Sequence, residues 1–184
     1  MKVILSRKGF DTGNGGCASP IMPDGTLLSL PIPTDDQLTY DDISYKGLSY
    51  QQLLKQLNPK ENYHGCHLDP DLRKDIRLSV PVNWQPAFGQ SGSAQGELQN
   101  QEVGEGDLFL FFGWFRQVEK TSDAGYCYVP NAPDLHVIYG YLQVEKVLTQ
   151  ADDIAKCEWH PHADFDRHDN RNNALYLARK NPQF

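Results

Sequence analysis

The chain has 184 residues, of which 39% are hydrophobic and 22% charged, a composition expected of one compact globular domain spanning residues 1–184. Its formal net charge of −7 argues against an extended duplex-binding surface, because such surfaces need many Lys and Arg contacts to phosphate. No stretch approaches the ~18 apolar residues of a membrane helix, and the run before Ser6 is too short for a signal-peptide core. Cys17, Cys66, Cys127 and Cys157 form no Cys-x-x-Cys pair. A cytoplasmic protein with reduced thiols and no membrane partner is therefore expected.

Residues 2–6 read as a first strand that runs directly into Arg7, Lys8 and the glycine-rich stretch "GFDTGNGG". "GTLLSLPIP" reads as a second strand, placed at a sheet edge by Pro31 and Pro33, which cannot donate to a ladder. In "LSYQQLLKQLNPK", Leu48, Leu53, Leu54 and Leu57 form a helical stripe that Pro59 ends. "CHLDPDLRKDIR" is polar and interrupted by proline, so a loop with at most a turn of helix is expected. "SAQGELQNQ" predicts a short helix capped by Ser91 or Ser93 and weakened by Gly92 and Gly96.

The clearest signals come next. "VGEGDLFLFFGWFRQVE" and "HVIYGYLQVEKVL" are aromatic and β-branched runs joined by the turn-rich "KTSDAGYCYVPNAPD". Both are apolar nearly throughout, which predicts strands buried on both faces. "NALYLARK" supplies a last strand. The fold class expected is α+β: one β-dominated small barrel with two or three short flanking helices.

The pair "GDLFLFFGWF" and "VIYGYLQVEKVL" resembles the central hairpin of PUA-like domains, the superfamily of the ASCH and EVE groups. That resemblance implies a small barrel and a nucleic-acid or single-base ligand. Seven segments, "ILSRKGFD", "SPIMPDGTLLSLPIP", "CHLDPDL", "FGQSGSAQ", "GDLFLFFGWFR", "DLHVIYGYLQV" and "WHPH", resemble in this order the family called nucleotide modification associated domain 3. The resemblance implies a bacterial or phage system that modifies nucleotides or DNA bases. It brings no catalytic residues and no named cofactor with it.

The candidate residues follow from their chemistry. Arg7 and Lys8 stand at the end of the first strand, where an Arg fork and neighbouring glycine amides can hold a phosphate. Asp11 can orient Arg7 or meet a ribose hydroxyl. The glycine spacing fits neither a Walker loop nor a dinucleotide fingerprint. "HGCHLDPDLRKD" gathers His64, His67, Asp69 and Asp71, with His67 as an acid or base tuned by Asp69. The same residue types also suit a divalent metal or an ordinary turn. "WHPH" offers Trp159 and His160 as pocket walls, and His160 with His162 as a metal edge, followed by Asp164, Asp166 and His168. No metal-ligand set is specified by these spacings. Trp114, Phe115 and Arg116, at the exit of a strand, can sandwich a base. Asp134 and His136 form an acid–base couple at the entrance of the paired strand, and Gln90 and Ser91 can offer polar groups to an anion.

Two readings remain open at this level. One is an enzyme acting on a nucleotide or modified nucleobase, with Arg7 and Lys8 holding phosphate and His67 or His136 moving protons. The other is a reader that binds a modified base within DNA without chemistry. The enzyme reading requires Arg7 and His67 to face one cavity.

Overall fold

A computed structural model describes residues 1–165 and 171–180. In chain order the elements are β1 (Val3–Arg7), β2 (Ser19–Ile21), β3 (Ile32–Thr39), β4 (Ser44–Tyr45), β5 (Leu48–Ser49), α1 (Tyr50–Leu57), β6 (Gly65–His67), β7 (Ala87–Gln90), α2 (Gly92–Asn100), β8 (Leu108–Lys120), β9 (Tyr126–Tyr128), β10 (Leu135–Leu148), α3 (Ala151–Ile154) and β11 (Ala174–Ala178). None of the described helices is long and apolar enough to cross a membrane.

The aromatic runs form the two long central strands. β8 and β10 pair antiparallel from Leu135 opposite Phe115 to Gln143 opposite Leu108. The sheet runs β1-β8-β10-β11-β7, with β2 and β9 also paired to β8. β1 lies parallel to β8 and β2 continues the same direction farther along it. The expected barrel is not formed, because β1 and β7 end this path without pairing to each other. The domain is strand-dominated with short helices, but its main sheet is open.

Burial on both faces holds for only part of the long pair. It holds at Leu108–Phe109 and Leu142–Val144, buried at successive positions, whereas Phe109, Phe111 and Phe115 bury one face of β8, with Phe88 and Tyr176 packed on Phe109. The N-terminal half of β10 instead carries the exposed Leu135, Ile138 and Tyr141. The residue types signal a strand, but they cannot show whether a further layer covers it.

The second core forms around α1, where Ser49 accepts the Gln52 N–H and the Gln52 side chain returns to the Ser49 N–H, a capping box. Tyr50, Leu53, Leu54 and Leu57 face this core, each large apolar side chain contributing roughly 1.5–3 kcal/mol. The predicted strand "GTLLSLPIP" is mainly a buried crossing segment. Leu28 and Leu30 donate their N–H groups to Pro20 O and Ser19 Oγ, and strand structure begins only at Ile32.

The glycine-rich loop has a packing role. Asp11 Oδ1 accepts the N–H groups of Gly13 and Asn14, closing the loop. Gly15 has φ +92°, and a Cβ there would fall 2.2 Å from the Phe10 ring. The loop therefore lies directly on a buried aromatic residue, and Tyr63 holds it by donating its hydroxyl to Gly15 O.

Candidate functional site

The site begins where β1 leaves β8. Lys8 continues the ladder by donating its N–H to Phe112 O at 2.9 Å. A Cβ on Gly113 would stand 2.7 Å from Lys8 O, so the glycine within "FFGWF" lets the Lys8 backbone approach. The Lys8 side chain crosses the Phe88 ring, 4.5 Å from its centroid, and its ammonium reaches Asp69 Oδ2 at 3.0 Å. The cation thus gains a π-face and a buried carboxylate together.

Asp69 is held from several sides. Asp71 and Ala87 exchange backbone bonds of 2.9 Å, pinning the loop to β7 and allowing Gly89 N–H to reach Asp69 Oδ1 at 2.7 Å. Burial works against the charge of this carboxyl, but Lys8 and the neighbouring histidine rings hold it well below the usual carboxylate range. Three imidazoles surround it. His67 and His162 have ring centroids 5.5 Å apart, and His160 and His162 5.6 Å apart. His160 Nε2 lies 3.4 Å from Asp69 Oδ1, close enough for attraction but without hydrogen-bond alignment.

Each ring is fixed by an outer partner. His67 Nδ1 lies 2.7 Å from Asp36 Oδ2. His162 Nδ1 lies 2.7 Å from Asn173 Oδ1, while Asn173 Nδ2 donates to His162 O at 2.9 Å. The His162 ring rests on β7, where a Cβ on Gly89 would overlap it at 2.3 Å. Burial pushes the His162 pKa down to about 4, so the ring is neutral at neutral pH. His67, Asp69 and His162 present ligand atoms that all lie within 4.8 Å of one another.

A second buried ion pair supports this cluster. Arg77 donates through Nε and one terminal nitrogen to Asp71 Oδ2 at 3.0 and 2.7 Å, and Trp84 Nε1 donates to the same oxygen at 2.7 Å. Arg77 also donates to Trp159 O at 3.3 Å, fixing the chain immediately before His160.

Asp69 also lines a cavity of about 420 Å³, with Ser29, Arg73, Tyr139, Arg179 and Lys180 among the other walls. A second cavity, sharing the wall residue Leu68, is lined by Asp36, Arg77, Trp159 and His160. Within the charged cluster, Asp69 lines the first cavity and His160 the second.

The predicted residues separate into groups. Lys8, His67, Asp69 and His160 converge, with Trp159 packed against the His160 ring at 5.5 Å between centroids. Arg7 does not join them, so the requirement that Arg7 and His67 face one cavity is not met; the cation beside the histidines is Lys8, and an enzyme reading can rest only on it. Arg7 is exposed, and side chains alternate between faces, so Arg7 and Lys8 serve opposite sides of the sheet. Arg7, Trp114 and His136 belong to that other face, where Arg7 is opposite Phe112 and His136 is opposite Trp114. Asp134 is exposed just before β10. Arg116 lies over Tyr128, 5.6 Å from the ring centroid. Asp11 closes its own loop, Ser91 stands at the start of α2, and Gln90 Oε1 accepts the Ser91 N–H at 3.3 Å. Asp166 and His168 lie outside the described residues.

Asp36 and Asn173 are site residues that sequence reasoning did not find. His162 was visible only as half of His-x-His. The signal available in retrospect is His67-x-Asp69 combined with a distant His162, two imidazoles and one carboxylate.

No curated protein and no solved structure matches the chain. The family model described as nucleotide modification associated domain 3 matches residues 2–184. The chain therefore belongs to the nucleotide modification associated domain 3 family, which associates it with the modification of nucleotides.

Proposed function

We propose that this protein is an enzyme that binds a nucleotide or modified nucleobase in the cavity beside Asp69 and acts on it with the Lys8–Asp69–histidine cluster. The observation that carries this reading is the position of Asp69. One residue, Asp69, belongs both to a buried assembly of a lysine and three histidines and to the lining of a cavity large enough for a small ligand. Arg73, Arg179 and Lys180 on the same wall supply cationic groups for phosphate, and Tyr139 supplies an aromatic surface. The experiment is incubation with pools of nucleotides and modified DNA, followed by mass spectrometry of the products. Conversion by the native chain, lost in Asp69→Asn and retained in the exposed control Lys60→Ala, is the expected result. Conversion that survives Asp69→Asn in full overturns the reading.

The opposite sheet face supports a second reading, that of a base reader. Leu5, Phe112, Trp114 and Ile138 share it by strand register, Leu5 and Ile138 more than half exposed (63% and 53%), and Tyr141 joins them at the β10 edge, where it also lines the Asp69 cavity. An aromatic sheet face with Arg7 at its rim suits unstacked bases. Under this reading, single-stranded DNA quenches Trp fluorescence and emerges unchanged, and Trp114→Ala loses the binding.

A further inference from the structure

We infer that His67, Asp69 and His162 form a binding site for one divalent first-row transition-metal ion. The inference deepens the enzyme reading, and rests on it only in taking this cluster as the reactive centre. Metal binding itself is measured without turnover.

The hydrogen bonds sort the three histidines. Asn173 Nδ2 donates to His162 O, so its Oδ1 must be the atom facing the His162 ring. An amide oxygen only accepts, hence His162 Nδ1 carries a proton and the neutral ring has its lone pair on Nε2. His67 has the same arrangement, with Nδ1 against the Asp36 carboxylate at 2.7 Å, so its neutral form also has the lone pair on Nε2. His160 is opposite in kind. Its Nδ1 accepts the His162 N–H at 3.3 Å, which places the neutral ring's proton on Nε2, facing Asp69 Oδ1 at 3.4 Å.

Two rings therefore offer lone pairs beside the Asp69 carboxylate, while the third offers an N–H to it. This is the division a metal centre requires. Metal-bound imidazoles usually give their other N–H to a carboxylate or carbonyl, which fixes the tautomer and raises the basicity of the ligand. Asp36 and Asn173 occupy those outer positions. Lys8 and the Gly89 N–H hold the carboxylate in place, and His160 Nε2 approaches it at 3.4 Å. The fully buried His160 Nε2 has no well-aligned acceptor, so this assembly is not a closed structural network.

Two imidazoles and one carboxylate suit a first-row divalent ion and leave coordination positions for water or substrate. The three ligand atoms lie within 4.8 Å of one another; ligands at about 2.0–2.1 Å from one ion stand roughly 3–3.4 Å apart, so the widest pair must draw in by up to about 1.4–1.8 Å. The glycine at position 89 leaves the His162 ring room to lie directly on β7, beside the Asp69 carboxylate that the Gly89 N–H holds.

The test uses the full chain stripped by a chelator and then titrated with Co²⁺ or Zn²⁺. The expected result is one ion per chain by calorimetry, with a Co²⁺ visible band and shifts of two histidine Nε2 resonances on Zn²⁺ addition in ¹⁵N-histidine-labelled protein. His162→Gln abolishes the band. Asp36→Asn retains one site but weakens it about 10–100-fold. His160→Gln still binds one ion. No binding at micromolar Co²⁺ or Zn²⁺ by folded native chain overturns the inference, as does full retention in His162→Gln or a resonance shift at His160. If a variant fails to fold, the labelled native chain alone decides. Binding without conversion of any nucleotide refutes the enzyme reading and leaves the metal site standing, whereas conversion together with no metal binding by the folded native chain refutes the metal site and leaves the enzyme reading.

Discussion

Replacing Arg77 by methionine should be among the most destabilising single changes in the molecule. Asp71 is 0% exposed, and Oδ2 receives the Arg77 Nε, one Arg77 terminal nitrogen and Trp84 Nε1. Its Oδ1 has no donor among the described residues. Arg77→Met would leave this carboxylate with one indole N–H. Breaking a buried pair from one side costs about 3–5 kcal/mol, against a total stability of about 5–15 kcal/mol for a domain. For a chain of this size, about 2–4 °C per kcal/mol gives a fall in Tm of roughly 6–20 °C. Asp71→Leu with Arg77→Met removes the orphaned charge and should recover most of the loss, although Trp84 then lacks its acceptor. Thermal and urea unfolding followed by near-UV circular dichroism measures both. An Arg77→Met loss below about 1 kcal/mol, or a double variant no better than the single, would refute the reasoning.

Gly15→Ala places a Cβ on the Phe10 ring at a positive φ, and a loss of about 1–3 kcal/mol in urea unfolding is expected. Asp107 accepts the N–H groups of Lys2 and Gly104 at 2.6 and 3.0 Å. Burial alone would raise its pKa, but those bonds and the Lys2 charge lower it. Its stabilisation is therefore present above the unfolded carboxyl pKa and lost as pH falls through the lower folded value, so the Tm gap between native chain and Asp107→Asn should close on acidification. Alkylation of the native chain should label Cys127 first and Cys157 more slowly. Cys17 and Cys66, 7% and 0% exposed with thiols pushed up by burial, should react only in denaturant, as peptide mass spectrometry would show.

The fold was legible where one element dominates its own stretch of sequence. β8 and β10 announce themselves by length and aromatic content, and α1 by its leucine spacing and Pro59. β7 did not, because four residues between Pro86 and Ser91 carry too little periodicity to distinguish a strand from a turn. The open sheet was also illegible, since closure depends on whether β1 meets β7 and no local pattern encodes that. At the site, Lys8, His67, Asp69 and His160 could be named from their chemistry. Asp36 could not, because its role exists only through a partner 31 positions away. Asn173 sits in a polar run where one more amide carries no signal, yet it determines which nitrogen of His162 holds the proton.

Adjacent cations at the end of β1 suggested one phosphate clamp, but strand geometry divides them. Lys8 turns to Asp69 and the histidines, whereas Arg7 turns to the face carrying Phe112 and Trp114. The division makes the two functional readings physically separable. Lys8→Met removes the cation nearest Asp69, so conversion of a nucleotide should fail while binding of single-stranded DNA to the aromatic face persists. Trp114→Ala should give the converse pattern. Circular dichroism must first show that Lys8→Met folds, because it leaves Asp69 buried without its principal counter-charge. If folded Lys8→Met and Trp114→Ala each impaired both properties equally, the two faces would be acting as one site, and the alternation between residues 7 and 8 could not be what separates them.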